Sequence, residues 1–128
     1  IEDRLSQIAI SMLGQKAPAE EKYEWYATHN EEAIILRNKI AEELPEYEVR
    51  NGGTTTIDIT PIGVDKAYGM QKLIEALGVT KEEVLFVGDR LEKGGNDYPV
   101  KAMGIDCIDV DGWQTTPYVV RGILGVTE

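Results

Sequence analysis

The residues best suited to chemistry in this 128-residue chain lie between Val84 and Asp97. A short apolar run, Val84-Leu85-Phe86-Val87, ends in Gly88-Asp89; a glycine-rich loop follows, and Asn96-Asp97 closes it. The run has the length and β-branched character of a strand buried on both faces. Gly88 would let the backbone turn sharply, so that Asp89 projects from the strand's carboxyl end, where open α/β sheets bind ligands. Two carboxylates and an amide around such a crevice suit a hard cation such as Mg²⁺, which prefers oxygen ligands. The same composition also makes an ordinary solvated turn, and the stretch alone leaves both readings open.

Two further groups could share that edge. Asp65 can cap a helix whose apolar stripe is Ala67, Met70, Leu73, Ile74 and Leu77, ended by Gly78. Lys66 falls in its first turn, where the helix dipole disfavours a cation. Such a lysine is either held for an anion or reaches into water. Upstream, Tyr47 to Arg50, then Asn51-Gly52-Gly53, then Thr54 to Thr60 read as a β-hairpin turning at the Asn-Gly-Gly. Thr55, Ile57 and Ile59 alternate onto a helix-facing side; Thr54, Thr56, Asp58 and Thr60 make a polar side with one carboxylate. In antiparallel sheets a side of that kind is ordinarily solvated.

The remaining elements must position these groups. Leu5 to Leu13 alternates as a strand with Ile8, Ile10 and Met12 on one face, ended by Gly14. A short helical stretch carries Tyr23, Trp25 and Tyr26. Thr28-His29-Asn30-Glu31 reads as a capping box for the next helix. There Ala33, Leu36, Ile40 and Leu44 form the stripe, with Ile34 and Ala41 beside it, until Pro45. Pro61-Ile62-Gly63 is a junction between an antiparallel pattern and an alternating one. Beyond it lie the Val84 strand, a helix from Asp97 to Met103, a strand from Ile105 to Val110 and a helix from Thr116 to Leu124. The expected fold is α/β: an antiparallel α+β portion over 1–62, then part of a parallel Rossmann-like sheet over 63–128 with right-handed crossovers.

Composition narrows the function. The formal charge of −10 argues against nucleic acid, whose phosphates want a basic patch. No apolar run reaches membrane-spanning length and no signal-peptide pattern opens the chain, so a cytoplasmic protein is expected. Cys107 reads as a buried small hydrophobe, and His29, the one histidine, lies in a polar stretch. Nucleophilic chemistry built on either is not expected.

Taken together, Gly63-x-Asp65-Lys66 opening a helix, the apolar strand with Gly88-Asp89, and Gly94-Gly95-Asn96-Asp97 resemble the second half of a haloacid dehalogenase-superfamily phosphatase. The similar branch carries a large α/β cap inserted into the core (type IIB) and includes eukaryotic phosphomannomutases. Arg4, Ser11 and Gly14 keep the spacing of that cap's Arg, Ser and Gly. Gly52, Gly53, Thr56, Ile57 and Asp58 reproduce its Gly-Gly, hydroxyl, apolar and Asp pattern, with Thr for Ser.

The resemblance implies roles. Lys66 would hold the phosphoryl group and the nucleophile's charge, and Asp89 would ligate Mg²⁺ with Asn96 and Asp97 completing or supporting the shell. Arg4, Thr56 and Asp58 would contact a sugar phosphate from the cap. Residues 1–62 would be the cap portion and 63–128 the closing half of the core. Two departures matter. Phosphomannomutases carry a second arginine directly after the glycine, where this chain has Gln15; a lost phosphate-binding charge favours a phosphatase over a mutase. The family's nucleophile is the first Asp of an Asp-x-Asp motif upstream of the cap, and nothing here precedes the cap. Asp109-Val110-Asp111-Gly112 imitates that motif in the wrong chain order, usable only after circular permutation.

The expected function is a Mg²⁺-dependent phosphatase for a small phosphorylated metabolite, a sugar phosphate by resemblance. It would work through an aspartyl-phosphate whose nucleophile lies upstream of this fragment. A phosphohexose mutase and a non-catalytic sugar-phosphate-binding module are the alternatives. An incomplete core would leave apolar surface inclined to self-association.

Overall fold

The computed structural model describes residues 1–127. Four antiparallel strands form one sheet in the order β1-β2-β4-β3: β1 (Glu2–Asp3), β2 (Ile8–Ser11), β3 (Tyr47–Gly52) and β4 (Thr56–Pro61). The long helix α1 (Ala19–Glu43) packs on β3. Helix α2 (Lys66–Leu77) follows, then a 3₁₀ turn at Lys81–Glu83 and strand β5 (Leu85–Gly88). Helix α3 (Tyr98–Ala102), strand β6 (Asp106–Asp109) and helix α4 (Thr116–Thr127) complete the chain. β5 and β6 pair in parallel with Gly88 opposite Asp109. The α/β class and the change from antiparallel to parallel pairing are as the sequence implies.

Register decides which side chains share a face. Val49 opposes Ile59, Asn51 opposes Ile57, and Ile10 opposes Ile57 from the other side, so these share one face, apolar except for Asn51. Helix α1 covers it: Ala33 and Ile57 are buried, and the Asn51 amide donates to the Ala33 carbonyl at 3.4 Å. Arg50 and Ala9 flank Asp58 on the opposite face, with Thr56 beside it. The second core lies under α2, where Ile74, Val100 and Ile105 pack with Met70, Phe86 and Met103.

Several expectations change in detail. The hairpin does not turn at Asn51-Gly52: both stay in β3, and Gly53 alone takes a left-handed φ of 51°. Thr55 therefore sits in the turn, its hydroxyl bonded to Ser11 at 3.1 Å, rather than in the strand. Thr28 does not cap a helix. Its hydroxyl donates backward to the carbonyls of Glu24 and Trp25, and α1 runs on through a kink at His29. Leu36 stays 38% exposed while Arg37 takes its place on the buried stripe, because the facing loop comes close at Gly94. The strand expected to be buried on both faces leaves Leu85 47% exposed, since β5 has a partner on one side only. Cys107 is half-buried, its thiol pushed above its ordinary value by burial, in keeping with an inert role.

Candidate active site

Helix α2 starts as its sequence dictates. The Asp65 carboxylate accepts from the Tyr68 amide at 3.0 Å, and Gly78 closes the other end in the left-handed region. This capping places Lys66 at the first helical position, and its ammonium pairs with Asp97. A cation at that end is offset by a buried carboxylate rather than by water.

Asp97 organises the surrounding loop. It is 2% exposed, and its second carboxylate oxygen accepts the backbone amides of Asp89 and Arg90, each at 3.1 Å. Its own amide returns to the Arg90 carbonyl at 3.1 Å. The buried charge is thus satisfied by one cation and two amides. Gly88 is explained by the same contact and not by a turn. It lies in extended strand, and a Cβ there would stand 2.7 Å from the Asp97 carboxylate. Only glycine lets that carboxylate close on the strand end.

The side chain of Asp89 emerges from this loop. Burial and the neighbouring Asp97 charge push its carboxyl above the ordinary range, while Lys66 and Arg90 pull the other way. On the polar face of β4, Asp58 is also pushed up, mainly by burial, against the Asn96 hydrogen bond and the Arg4 and Lys66 charges. Asp58 accepts from Gln7 at 3.0 Å and Asn96 at 3.4 Å. Gly52 makes room for it, since a Cβ there would lie 2.4 Å from its carboxylate.

The glycine loop is stitched to the antiparallel sheet through backbone. The Asn51 amide donates to Gly94 at 3.1 Å, and the Asn96 amide donates to Asn51 at 2.9 Å. Arg90 adds a side-chain tie. It is buried, donates to the Gly53 carbonyl at 2.6 Å and to Glu92 at 2.7 Å, and lies 5.4 Å from the centre of the Tyr26 ring.

The candidate residues divide between two cavities. One, of about 410 Å³, is lined by Lys66, Asp58, Asn96, Gln7 and Arg50, with an apolar wall from Met70, Leu73 and Phe86. The other, of about 320 Å³, brings together Arg4, Thr56 and Asp89, with Lys22, Tyr23 and Asp111. Asp97 lies buried behind both. Of the three groups expected around a cation, Asp89 and Asp97 are adjacent, whereas Asn96 turns its amide to Asp58. The Asn96 carbonyl oxygen is buried and has no hydrogen-bond partner.

Among the described residues no cluster of three His, Cys, Asp or Glu side chains forms a ready cation cage. The donors are nonetheless all oxygen. One carboxylate is raised by burial and by a neighbouring like charge, and one amide oxygen lacks a partner. Mg²⁺ is held through one or two carboxylates with water filling the shell, and this set fits that mode.

Lys22, Arg90, Gln7 and Arg50 were not singled out by sequence, and Asp111 was noted only within the Asp109-Val110-Asp111 imitation of the nucleophile motif. Arg90 carried a signal, a cation directly after Gly88-Asp89. Lys22 carried none, since it enters only through tertiary placement. Arg4 is in reach of the site, with its guanidinium bonded to Glu2 at 2.7 Å in an exposed pair.

The family model for eukaryotic phosphomannomutase matches residues 1–107. The phosphomannomutase of Saccharomyces cerevisiae is 33% identical over 104 residues, covering 78% of this chain and 40% of that protein. A 5-amino-6-(5-phospho-D-ribitylamino)uracil phosphatase of Bacillus subtilis is 39% identical over 59 residues, 44% of this chain and 24% of its own. The chain therefore spans about two-fifths of the length of the phosphomannomutases it matches. Among solved structures, an N-terminally truncated, IMP-bound IMP-nucleotidase of Plasmodium falciparum superposes with a TM-score of 0.60 at 20% identity. That match covers 97% of this chain and 31% of the nucleotidase, and shows a shared fold.

Proposed function

The chain belongs to the eukaryotic phosphomannomutase family, within the haloacid dehalogenase superfamily, and from that premise we propose that it is part of a Mg²⁺-dependent phosphatase for a small sugar phosphate. The observation that carries the reading is the Lys66–Asp97 pair, with Asp97 also holding the Asp89 amide. Together they fix a cation and a free carboxylate at one edge, next to a polar sheet face. That is what phosphoryl transfer needs, because its catalysis is mostly positioning and charge stabilisation.

Asp89 would hold the metal directly, Asp97 would support it, and the Asn96 oxygen would serve as a further donor. When bound, Mg²⁺ would supply charge stabilisation on the transferred phosphoryl group. Lys66 would neutralise the same group from α2. Arg4 and Thr56 would bind the ester from the sheet side, and Asp58 would accept a sugar hydroxyl. The attacking carboxylate, by resemblance, belongs to a segment upstream of this chain, and residues 1–62 and 63–128 act as cap and core. A cytoplasmic setting suits these substrates, and no described helix is long and apolar enough to cross a membrane.

Gln15 in place of an arginine favours hydrolysis over mutase chemistry, since a mutase must also anchor a second phosphate. A phosphohexose mutase is the second reading. It is favoured by the family match and by Lys22, which lines the Arg4 cavity and donates to the Gln15 carbonyl at 3.0 Å. The test is an assay of the intact natural protein with hexose 1- and 6-phosphates, with and without a hexose bisphosphate. Phosphate release without bisphosphate, lost on Lys66→Ala, is the expected result. Bisphosphate-dependent interconversion of the two isomers would overturn it in favour of the mutase.

A further inference from the structure

The cavity around Arg4 and Asp89 has a wall that none of these roles uses. Trp113, in the loop after β6, donates its indole N–H to the Tyr23 hydroxyl of α1 at 2.8 Å. Gln114 donates its side-chain amide to the same oxygen, also at 2.8 Å. Two consecutive residues of one loop thus converge on one phenol, 90 and 91 positions away.

The stoichiometry of that contact has a consequence. An indole N–H can only donate, so the phenol oxygen accepts there, and it accepts again from Gln114. With its acceptor positions taken, the Tyr23 hydroxyl keeps its own proton to give, and no acceptor for it exists among the described residues' hydrogen bonds. Tyr23 and Trp113 both line the cavity. Trp113 is 69% exposed, so much of its surface is open to a ligand. Asp111, two residues earlier, lines the same wall, and no hydrogen bond or ion pair of the described residues engages its carboxylate. The cavity therefore offers cations from Arg4 and Lys22 together with an aromatic surface, a free phenol proton and a hydroxyl-accepting carboxylate.

We propose that Tyr23, Trp113 and Asp111 form a further subsite for the organic half of the substrate, a ring bearing several hydroxyls, beyond the contacts of Arg4, Thr56 and Asp58 given above. Apolar C–H faces of such a ring stack on indole, and its hydroxyls both accept and donate. A bare phosphate gains nothing from this wall and is repelled by Asp111. The inference rests on the sugar-phosphate reading above and assigns the leaving group's contacts within it.

Calorimetric titration of this chain, in Mg²⁺ buffer, with mannose 1-phosphate, glycerol 3-phosphate and inorganic phosphate tests it. Mannose 1-phosphate should bind about tenfold more tightly than the other two. Trp113→Ala and Tyr23→Phe should each weaken it about five- to tenfold, leaving inorganic phosphate within twofold. The hydroxyl deletion disturbs only a partly exposed contact, so this variant keeps its fold. Equal weakening of all three ligands by both variants would make the wall merely structural and overturn the proposal. Unchanged affinities in both variants would also overturn it, leaving the phosphatase reading in place. No binding of any of the three would sink both.

Discussion

Burial holds the Asp58 carboxyl above its ordinary range, and the groups that oppose this, Asn96, Arg4 and Lys66, do not cancel it. A carboxyl raised in the folded state stabilises the fold fully only below its unfolded value, near 3.8. That contribution is lost as pH rises through the folded value. At neutral pH the ionised group therefore costs stability. Asp58→Asn should melt at a higher temperature than the native chain at pH 7, with the difference vanishing below about pH 4. The amide of Asn96 can rotate to offer its partnerless carbonyl oxygen to the new side chain. A lower melting point at pH 7 would refute this account. In the sequence Asp58 was visible as the lone acid on a polar strand face, but its burial was not. Gln7 and Asn96 approach it from 51 and 38 residues away, so nothing local announces them.

Among the described residues, the β1–β2 connection carries the one non-glycine residue in the left-handed region. Leu5 takes a left-handed φ of 67° and is fully exposed. For a non-glycine residue other than Asn or Asp that conformation costs on the order of 1 kcal/mol. The turn is held by the Leu5 amide on Asp3 at 2.8 Å and the Arg4 amide on Gln7 at 2.8 Å, and it aims Arg4 at the site. Leu5→Asn, which adopts this region readily, should stabilise the chain by roughly 0.5–1 kcal/mol in urea unfolding. No gain, or a loss, would show that the leucine is not strained there. Elements whose ends are fixed by their own residues were legible. Helix α2 begins at Asp65 and ends at Gly78 as its caps require. The kink in α1 goes with local bonds from Thr28 back to Glu24 and Trp25 that a capping-box reading misassigns, and the displaced hairpin turn goes with a contact from Thr55 to Ser11, distant in sequence.

At the scale of the whole molecule, the parallel pair β5–β6 has one unpaired edge on β5. Leu73 and Leu77 on α2 are 50% and 64% exposed, although both belong to the helix's apolar stripe. Parallel strands are ordinarily covered on both faces. These surfaces should drive reversible self-association. Sedimentation velocity should show a weight-average mass that rises with concentration and falls on Leu77→Lys. A constant monomer mass across the micromolar range would exclude it. The sequence by itself determined the class of fold, the capped helix that presents Lys66, and the pairing of Gly88-Asp89 with Asn96-Asp97, because each is written in local periodicity and spacing. Only the tertiary structure decided how those groups are spent. It closed Asp97 on Lys66 and two amides, turned Asn96 toward Asp58, and brought Trp113 to Tyr23. Such contacts depend on where separate elements pack, and no local pattern encodes that.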